Sequence, residues 1–193
     1  MDNYLVGTLL LAIIFILFIY NKGNDYLIKD NSFDLLLSIK AHSLEGEGNI
    51  SIVSSRYVDN ARIISFMYEG EFGMAVYLKG YNGKLKCQWV QYGVSRCFSR
   101  TIFTDKGKYL IAAGDNKDSF ISSIGLNLKK ENIKISTRGE RYFLKVWPLL
   151  DEEAIEGIAF MRLYNSRGED ITEELMYPEA DALRDTVDFA FIN

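Results

Sequence analysis

Few side chains in this sequence are suited to nucleophilic or metal chemistry. The chain contains a single histidine, His42, and two cysteines. A Ser-His-Asp or Cys-His mechanism would have to use His42, because these mechanisms need a histidine base within hydrogen-bond reach of the nucleophile. His42 stands in KAHSLEGEG, which is typical of an exposed loop. We therefore predict no catalytic residues, and we predict that the protein is not an enzyme.

Paired carboxylates are the alternative route to catalysis. Acidic residues are densest at Asp151–Glu153 and around Glu45 and Glu47, and two carboxylates about 5–10 Å apart could hydrolyse a glycoside. The turn GDNKDS at 114–119 offers oxygen ligands, but the spacing and distal glutamate of a calcium loop are missing. Charged loops are the favoured interpretation, with no metal and no cofactor. An envelope hydrolase that uses a carboxylate pair is the alternative.

The two cysteines stand at either end of KCQWVQYGVSRC. If this stretch reverses direction at Gly93, then Cys87 and Cys97 lie opposite each other on neighbouring strands. Directly opposed strand residues have Cβ atoms about 4.5–5.5 Å apart, which a disulfide can close in a suitable pair. The spacing predicts a disulfide between Cys87 and Cys97, which would require an oxidising compartment. Two buried free thiols are the alternative.

Aromatic residues are abundant, with twelve Tyr, twelve Phe and two Trp. A β-rich domain uses most of them in its core. Exposed aromatic residues are also frequent anchors at binding surfaces. Trp89, Tyr92 and Trp147 fall on predicted strands, and we take them as the candidate binding aromatics.

The residues near the N-terminus form a long apolar segment, YLVGTLLLAIIFILFIY. As a helix, Tyr4–Tyr20 would measure about 25 Å at about 1.5 Å per residue, near the lower limit for a membrane span. The segment is followed by bulky residues instead of the small residues of a cleavage site. The sequence therefore predicts an uncleaved transmembrane anchor at 1–21, with a cleaved signal peptide as the alternative.

Beyond the anchor, the pattern predicts a polar linker at 22–31 and then a short helix with Ser32 as its N-cap. In that helix Phe33, Leu36 and Leu37 share one face. From Ile50 onward, short apolar alternations separated by Gly, Asn and Asp turns predict strands. The fold class is therefore mainly β, with an N-terminal transmembrane helix, a short helix, an antiparallel meander and β-sandwich-like strands.

The clearest local signal is GMAVYLKGYNGKLKCQWVQYG. Asn82-Gly83 is typical of a type I′ turn, and this turn pairs Val76 with Trp89 and Leu78 with Cys87. The opposite face, which includes Tyr77, is predicted to be exposed to solvent. We divide the chain into an α+β meander subdomain at 32–104, a β-sandwich-like subdomain at 105–175 and an acidic tail at 176–193.

Two stretches, YLIAAGDNKDSFISSIGLNL and ERYFLKVWPLLDEEAIEGIAFMRLYNSRGEDIT, resemble the C-terminal half of uncharacterised single-span proteins of Gram-positive bacteria. GMAVYLKGYNGKLKCQWVQYG is similar to their middle segment, so the resemblance covers about residues 50–172. It implies a β-rich domain anchored outside the membrane. It carries turn and core patterns and no functional residues.

The charge is well mixed, with a formal net charge of −4, which argues against nucleic-acid binding. Lys22, Lys29 and Lys40 follow the apolar segment while no Lys or Arg precedes it, and by the positive-inside rule this favours a cytoplasmic domain. The predicted disulfide and the resemblance favour the extracytoplasmic side. The sequence thus predicts a single-pass binding or accessory protein of the bacterial cell envelope, with an immunity or regulatory role and an envelope protein partner. A cytoplasm-facing tethered domain is the alternative.

Overall fold

The computed structural model describes residues 25–43, 48–93, 95–127, 132–150 and 161–176, and the single positions 7, 8, 11 and 13. The elements within these ranges are α1 (Ser32–Ser43), β1 (Ile50–Val58), β2 (Ala61–Tyr68), β3 (Glu71–Lys79), β4 (Leu85–Tyr92), β5 (Cys97–Phe103), β6 (Lys108–Asp115), β7 (Ser123–Asn127), β8 (Asn132–Ser136), β9 (Tyr142–Leu149), β10 (Met161–Tyr164) and α2 (Thr172–Met176). The prediction of a mainly β, antiparallel fold is confirmed.

The strands form three antiparallel sheets. The first sheet has the order β1-β2-β3-β4, the middle sheet has the order β5-β6-β9, and the third sheet has the order β10-β7-β8. The first sheet is a simple meander, because short turns pair each strand with the next one. The middle sheet is not a meander, because β9 pairs with β6 although β7 and β8 lie between them in the sequence.

Three hydrophobic cores join four layers. The first core, between α1 and the first sheet, contains Leu35, Ile39, Ile64, Phe66, Ala75, Tyr77 and Leu85. The second core, between the first and middle sheets, includes Ile63, Met74, Val76, Phe98, Ile102, Ile111 and Ala113. The third core, between the middle and third sheets, includes Cys97, Leu110, Ala112, Ile124, Leu126, Phe143 and Leu163. Among the elements that the structure describes, α1 and the third sheet are thus the two outer layers.

Strand β6 shows why the middle sheet has apolar side chains on both faces. Ile111 and Ala113 face the second core, whereas Leu110 and Ala112 face the third core. A strand covered on both sides reads as a continuous apolar run, as YLIAA does here. The small residues let the two flanking sheets approach closely.

The hairpin between β3 and β4 forms where Asn82-Gly83 predicts it. Gly83 has a φ of +73°, the left-handed region that glycine adopts without steric cost. Val76 pairs with Trp89, as predicted. The loop is longer than a two-residue turn, since Lys79 pairs with Leu85.

A β-bulge overturns the rest of the predicted register. Tyr77 pairs with Cys87 although Val76 pairs with Trp89, so Gln88 has no partner across the ladder. One extra residue reverses the side-chain alternation of the bulged strand. The predicted pairing of Leu78 with Cys87 is therefore wrong, and Cys87 joins Tyr77 in the first core. The face that carries Tyr77 is not exposed to solvent, because α1 covers it.

The predicted disulfide between Cys87 and Cys97 is also wrong. Both cysteines are free. Strand β4 is not followed by a hairpin, because β5 leaves the first sheet and pairs with β6 in the middle sheet. Cys87 contributes to the first core and Cys97 to the third core. The sulfurs therefore belong to different layers of the molecule.

The predicted division at residue 104 separates β5 from β6 and β9, with which it forms the middle sheet. The tail at 176–193 lies outside the described residues except for Met176. The predicted span Tyr4–Tyr20 also lies outside them, except for four positions that are helical and exposed: Gly7, Thr8, Leu11 and Ile13. Within the described parts of the chain, no helix is long and apolar enough to cross a membrane.

Candidate functional site

The predicted linker is bound to the first sheet along residues 25–30. Ile28 forms an antiparallel bridge with Leu85: each backbone N–H donates to the other residue's carbonyl, at 3.1 and 2.7 Å. Tyr26 lies against Gly80, where an added Cβ would lie 2.7 Å from Tyr26 Cγ. The linker thus extends the edge of the first sheet, and Leu27 on the opposite side of the chain remains 69% exposed.

Asp30 anchors the end of this segment to three strands. Its carboxylate accepts hydrogen bonds from Tyr57 of β1 and Arg62 of β2, and from Lys79 Nζ of β3 at 3.3 Å. The Arg62 guanidinium also donates to Ser55 Oγ at 3.1 Å. The side chains of Asp30 and Arg62 are only 17% and 15% exposed, so this ion pair is shielded from water. We call this group the Asp30 cluster.

The Asp30 cluster favours the charged carboxylate. Partial burial raises the pKa of Asp30, but the hydrogen bonds from Tyr57, Arg62 and Lys79 outweigh it and hold the pKa below its ordinary value. Burial and the bond to Asp30 together raise the pKa of Tyr57. Arg62 lies 5.3 Å from the centre of the Tyr57 ring, a distance at which a cation is attracted to an aromatic face. The cluster holds the linker on the first sheet through charged hydrogen bonds, and its polar groups bond to one another.

Helix α1 begins immediately after this cluster. Asn31 is the N-cap: its Oδ1 accepts the Asp34 N–H at 2.9 Å, and its carbonyl accepts the Leu35 N–H at 3.1 Å. The predicted N-cap, Ser32, is instead the first residue of the helix. Asp34 Oδ2 accepts the Lys29 N–H at 3.3 Å, which resembles the reciprocal arrangement of a capping box. The linker and the helix therefore form one continuous folded segment.

The buried face of α1 is not the predicted one. Leu35 and Ile39 are fully buried in the first core, and Tyr77 Oη donates to Ser38 Oγ at 3.3 Å. Burial raises the pKa of Tyr77. Phe33 is 70% exposed and Leu37 is 52% exposed. The helix is apolar on both sides, so the stripe predicted to face the core faces outward instead.

The candidate binding aromatics are not brought together. Trp89 packs on the second core, Tyr92 on the first core and Trp147 on the third core. Each has packing partners: Trp89 meets Phe98 edge-on at 6.4 Å, and Tyr92 meets Tyr68 edge-on at 5.3 Å. Trp147 lines a small apolar cleft between the middle and third sheets. These residues hold layers together and do not form a shared surface.

The other candidate groups serve the fold. Asn116 is buried and bonds both backbone groups of Ile121 at 2.8 Å, so it closes the turn that was considered for calcium. His42 Nδ1 lies 2.8 Å from the Ser38 carbonyl, within its own helix. The acidic stretches at 151–153 and 45–47 lie outside the described residues. Within the part that the structure describes, no three His, Cys, Asp or Glu side chains converge on a metal position.

The feature that sequence reasoning missed is the outward face of the segment 25–43. It consists of the exposed side chains of Leu27, Phe33 and Leu37. The available signal was the continuous run Leu35-Leu36-Leu37, which supplies apolar residues to both sides of a helix. The chain matches no protein-family model, no curated protein and no solved structure.

Proposed function

We propose that this chain is a single-pass, membrane-anchored β-rich protein of the bacterial cell envelope. Its layered domain binds a protein or ligand at the membrane surface and performs no chemistry of its own. Immunity to, or regulation of, a membrane-proximal partner is the specific role that fits this class. The resemblance to single-span proteins of Gram-positive bacteria supports an extracytoplasmic domain.

The observation that carries this proposal is the docked linker. The docked linker is described from Asp25, and only residues 21–24 separate Asp25 from Tyr20 along the chain. The five residue steps from Tyr20 to Asp25 span at most about 17 Å at about 3.3–3.6 Å per residue. The first sheet and α1 are therefore held close to the end of the apolar segment, and the domain has little freedom to reach partners far from the bilayer.

A cytoplasm-facing domain is the second candidate, and the cysteines favour it. Two free thiols in separate cores remove the argument for an oxidising compartment. The lysines at 22, 29 and 40, all C-terminal to the apolar segment, then count toward the cytoplasm. The partner would in that case be a cytoplasmic protein recruited to the membrane.

Membrane extraction tests the anchor. We expect the full chain to remain in the membrane fraction after an alkaline wash. Charged residues near the centre of a span cost about 2.5–3.5 kcal/mol each, so Leu11→Lys with Ile14→Lys should release the protein. Leu11→Ala with Ile14→Ala is the control and should stay bound. Release of the unmodified chain by the wash would refute the anchor.

Thiol labelling tests the orientation. Cys87 is half-buried and Cys97 is buried, so neither is a good reporter. The reporter is therefore Arg138→Cys, at an exposed loop position, in a Cys87→Ala, Cys97→Ala chain. A membrane-impermeant maleimide should label it in intact cells if the domain is extracytoplasmic. Labelling only after lysis would establish the cytoplasm-facing alternative.

A further inference from the structure

The outward face of α1 has the composition of a buried surface. Phe33 and Leu37 are one helical turn apart and are mostly exposed, Leu36 beside them is half-buried, and Ala41 continues the same side. Leu27 adds a further exposed apolar side chain within the docked linker. Contiguous exposed apolar residues mark an interaction surface more often than chance exposure does.

The outer surface of the third sheet, at the opposite end of the stack from α1, is polar. On the outer side of the third sheet, Tyr164 covers Gly125, with Lys134 Nζ 5.3 Å from its ring centre. Arg162 is exposed there and pairs with Asp170 at 3.1 Å. This surface is suited to water. The two outer layers therefore face different surroundings, and α1 faces the less polar one.

Chain continuity places α1 beside the bilayer. On the proposed anchor, Tyr20 lies at the lipid–water interface, and the connection to Asp25 spans at most about 17 Å. The docked linker then leads directly into α1, and α1 is an outermost layer. A helix in this position can lie flat on the membrane without moving any sheet.

The charges of the segment also suit an interface. Of the three carboxylates in this segment, Asp25 is paired with Lys86 at 2.9 Å and Asp30 with Arg62, which directs both to the first sheet. The third, Asp34, accepts the Lys29 N–H at 3.3 Å. Lys29 is exposed and Lys40 is half-buried. Lysine side chains beside an apolar face can extend toward lipid headgroups while their methylene groups remain in the apolar layer.

Another segment of this chain is a less suitable cover. The C-terminal tail leaves from α2, whose Leu175 belongs to the third core, at the far side of the stack. The lipid surface is already adjacent.

We infer that α1 is an interfacial helix whose Phe33 and Leu37 insert into the lipid headgroup region, giving the domain a second membrane contact beside the anchor. This inference rests on the proposed anchor and adds a fixed orientation to it. The first sheet is held parallel to the membrane, and the polar third sheet faces away, where a partner is met. Interfacial helices of this kind bury their apolar side about 5–10 Å into the headgroup boundary.

Lipid-borne quenching tests the inference on the full chain. A fluorophore is attached to Phe33→Cys or Leu37→Cys, each of which keeps the other apolar residue, in the Cys87→Ala, Cys97→Ala background. Arg138→Cys is the control. The protein is reconstituted in phosphatidylethanolamine–phosphatidylglycerol vesicles with a quencher at a shallow acyl position. We expect the probes at 33 and 37 to lose most of their emission and the probe at 138 to lose none.

The outcomes separate the inference from the anchor. A protein that floats with the vesicles while positions 33 and 37 are not quenched retains the anchor and overturns the interfacial helix. Probes that are shielded from water but are not quenched by the lipid-borne quencher also overturn the interfacial helix. If the shielding decreases when the protein is diluted with lipid, the cover is a second copy of the chain. If the shielding does not change, the cover is the C-terminal tail. Quenching at 33 and 37 that persists in the Leu11→Lys, Ile14→Lys chain supports the helix although the anchor fails.

Discussion

Cys87 and Cys97 lie in different cores, with the first sheet, the second core and the middle sheet between these cores. Burial raises the pKa of the Cys87 thiol, and it raises the pKa of the Cys97 thiol to about 12, with the nearby Asp115 adding to the effect. Thiol reactivity requires the thiolate. Both thiols should therefore react slowly in the folded protein, and Cys97 more slowly than Cys87.

We accordingly expect no change in Tm when reductant is added to the purified chain. In the native protein a maleimide should modify Cys87 slowly and Cys97 more slowly still, and denaturant should make both fast. Mass spectrometry of the alkylated chain measures both rates. A mass two hydrogens below that of the dithiol in unreduced protein would show that the layers had been assigned wrongly.

The Asp30 cluster should contribute measurably to stability. Hydrogen bonds to a charged group contribute about 1.5–3 kcal/mol, so Asp30→Asn should lower the free energy of unfolding by about that amount. Asp25→Asn is the matched control, since the Asp25–Lys86 pair is 61% and 40% exposed, and such pairs contribute about 0–1 kcal/mol. Thermal unfolding of the full chain in detergent compares the two. Equal effects would contradict a special role for Asp30.

The same cluster gives the stability a predictable pH dependence. The pKa of Asp30 is lowered from 3.8, so the folded state holds the proton less tightly than the unfolded state does. The stabilisation is present above pH 3.8 and is lost as the pH falls through the lower folded value. Between pH 5 and pH 3, the Tm difference between the native chain and Asp30→Asn should narrow. A difference that is independent of pH would exclude this linkage.

Replacing Leu35 and replacing Leu37 should have very different effects on the free energy of unfolding, although the two residues are only two positions apart. Leu35 is fully buried in the first core, so Leu35→Ala should cost about 2–5 kcal/mol. Leu37 points outward, so Leu37→Ala should change the stability in detergent by no more than about 0.5 kcal/mol. Urea unfolding monitored by tryptophan fluorescence measures both. A large loss of stability for Leu37→Ala would show that the helix face predicted from the sequence is the buried one.

Gly114 is a close-contact position in β6. A Cβ there would lie 2.5 Å from Phe143 Cζ and 2.7 Å from Cys97 Sγ. Overpacking of this kind costs about 1–3 kcal/mol, and Gly114→Ala should be destabilising to that extent. Gly107→Ala is the control, because nothing lies within 4 Å of an added Cβ at that turn. If both variants unfold at the native temperature, the third core is looser than described.

The sequence determined the features that depend on neighbours along the chain. Asn82-Gly83 fixed the place of the β3–β4 hairpin, because turn chemistry is local. The pairing of Val76 with Trp89 agrees with the prediction only because the bulge at Gln88 offsets the longer loop. The mainly β class followed from side-chain alternation, which is also local. The apolar segment Tyr4–Tyr20 and the run of leucines in α1 are also plain in the sequence.

Tertiary structure decided which surfaces meet. The bulge at Gln88 placed Cys87 on the face that α1 covers, and the transfer of β5 to the middle sheet moved Cys97 into another core. Sheet membership depends on strands distant in sequence, so no local pattern encodes it. Helix α1 has apolar residues on both sides, and periodicity alone does not say which side is buried. That choice was made by the docked linker and the Asp30 cluster, which fix the helix on the first sheet.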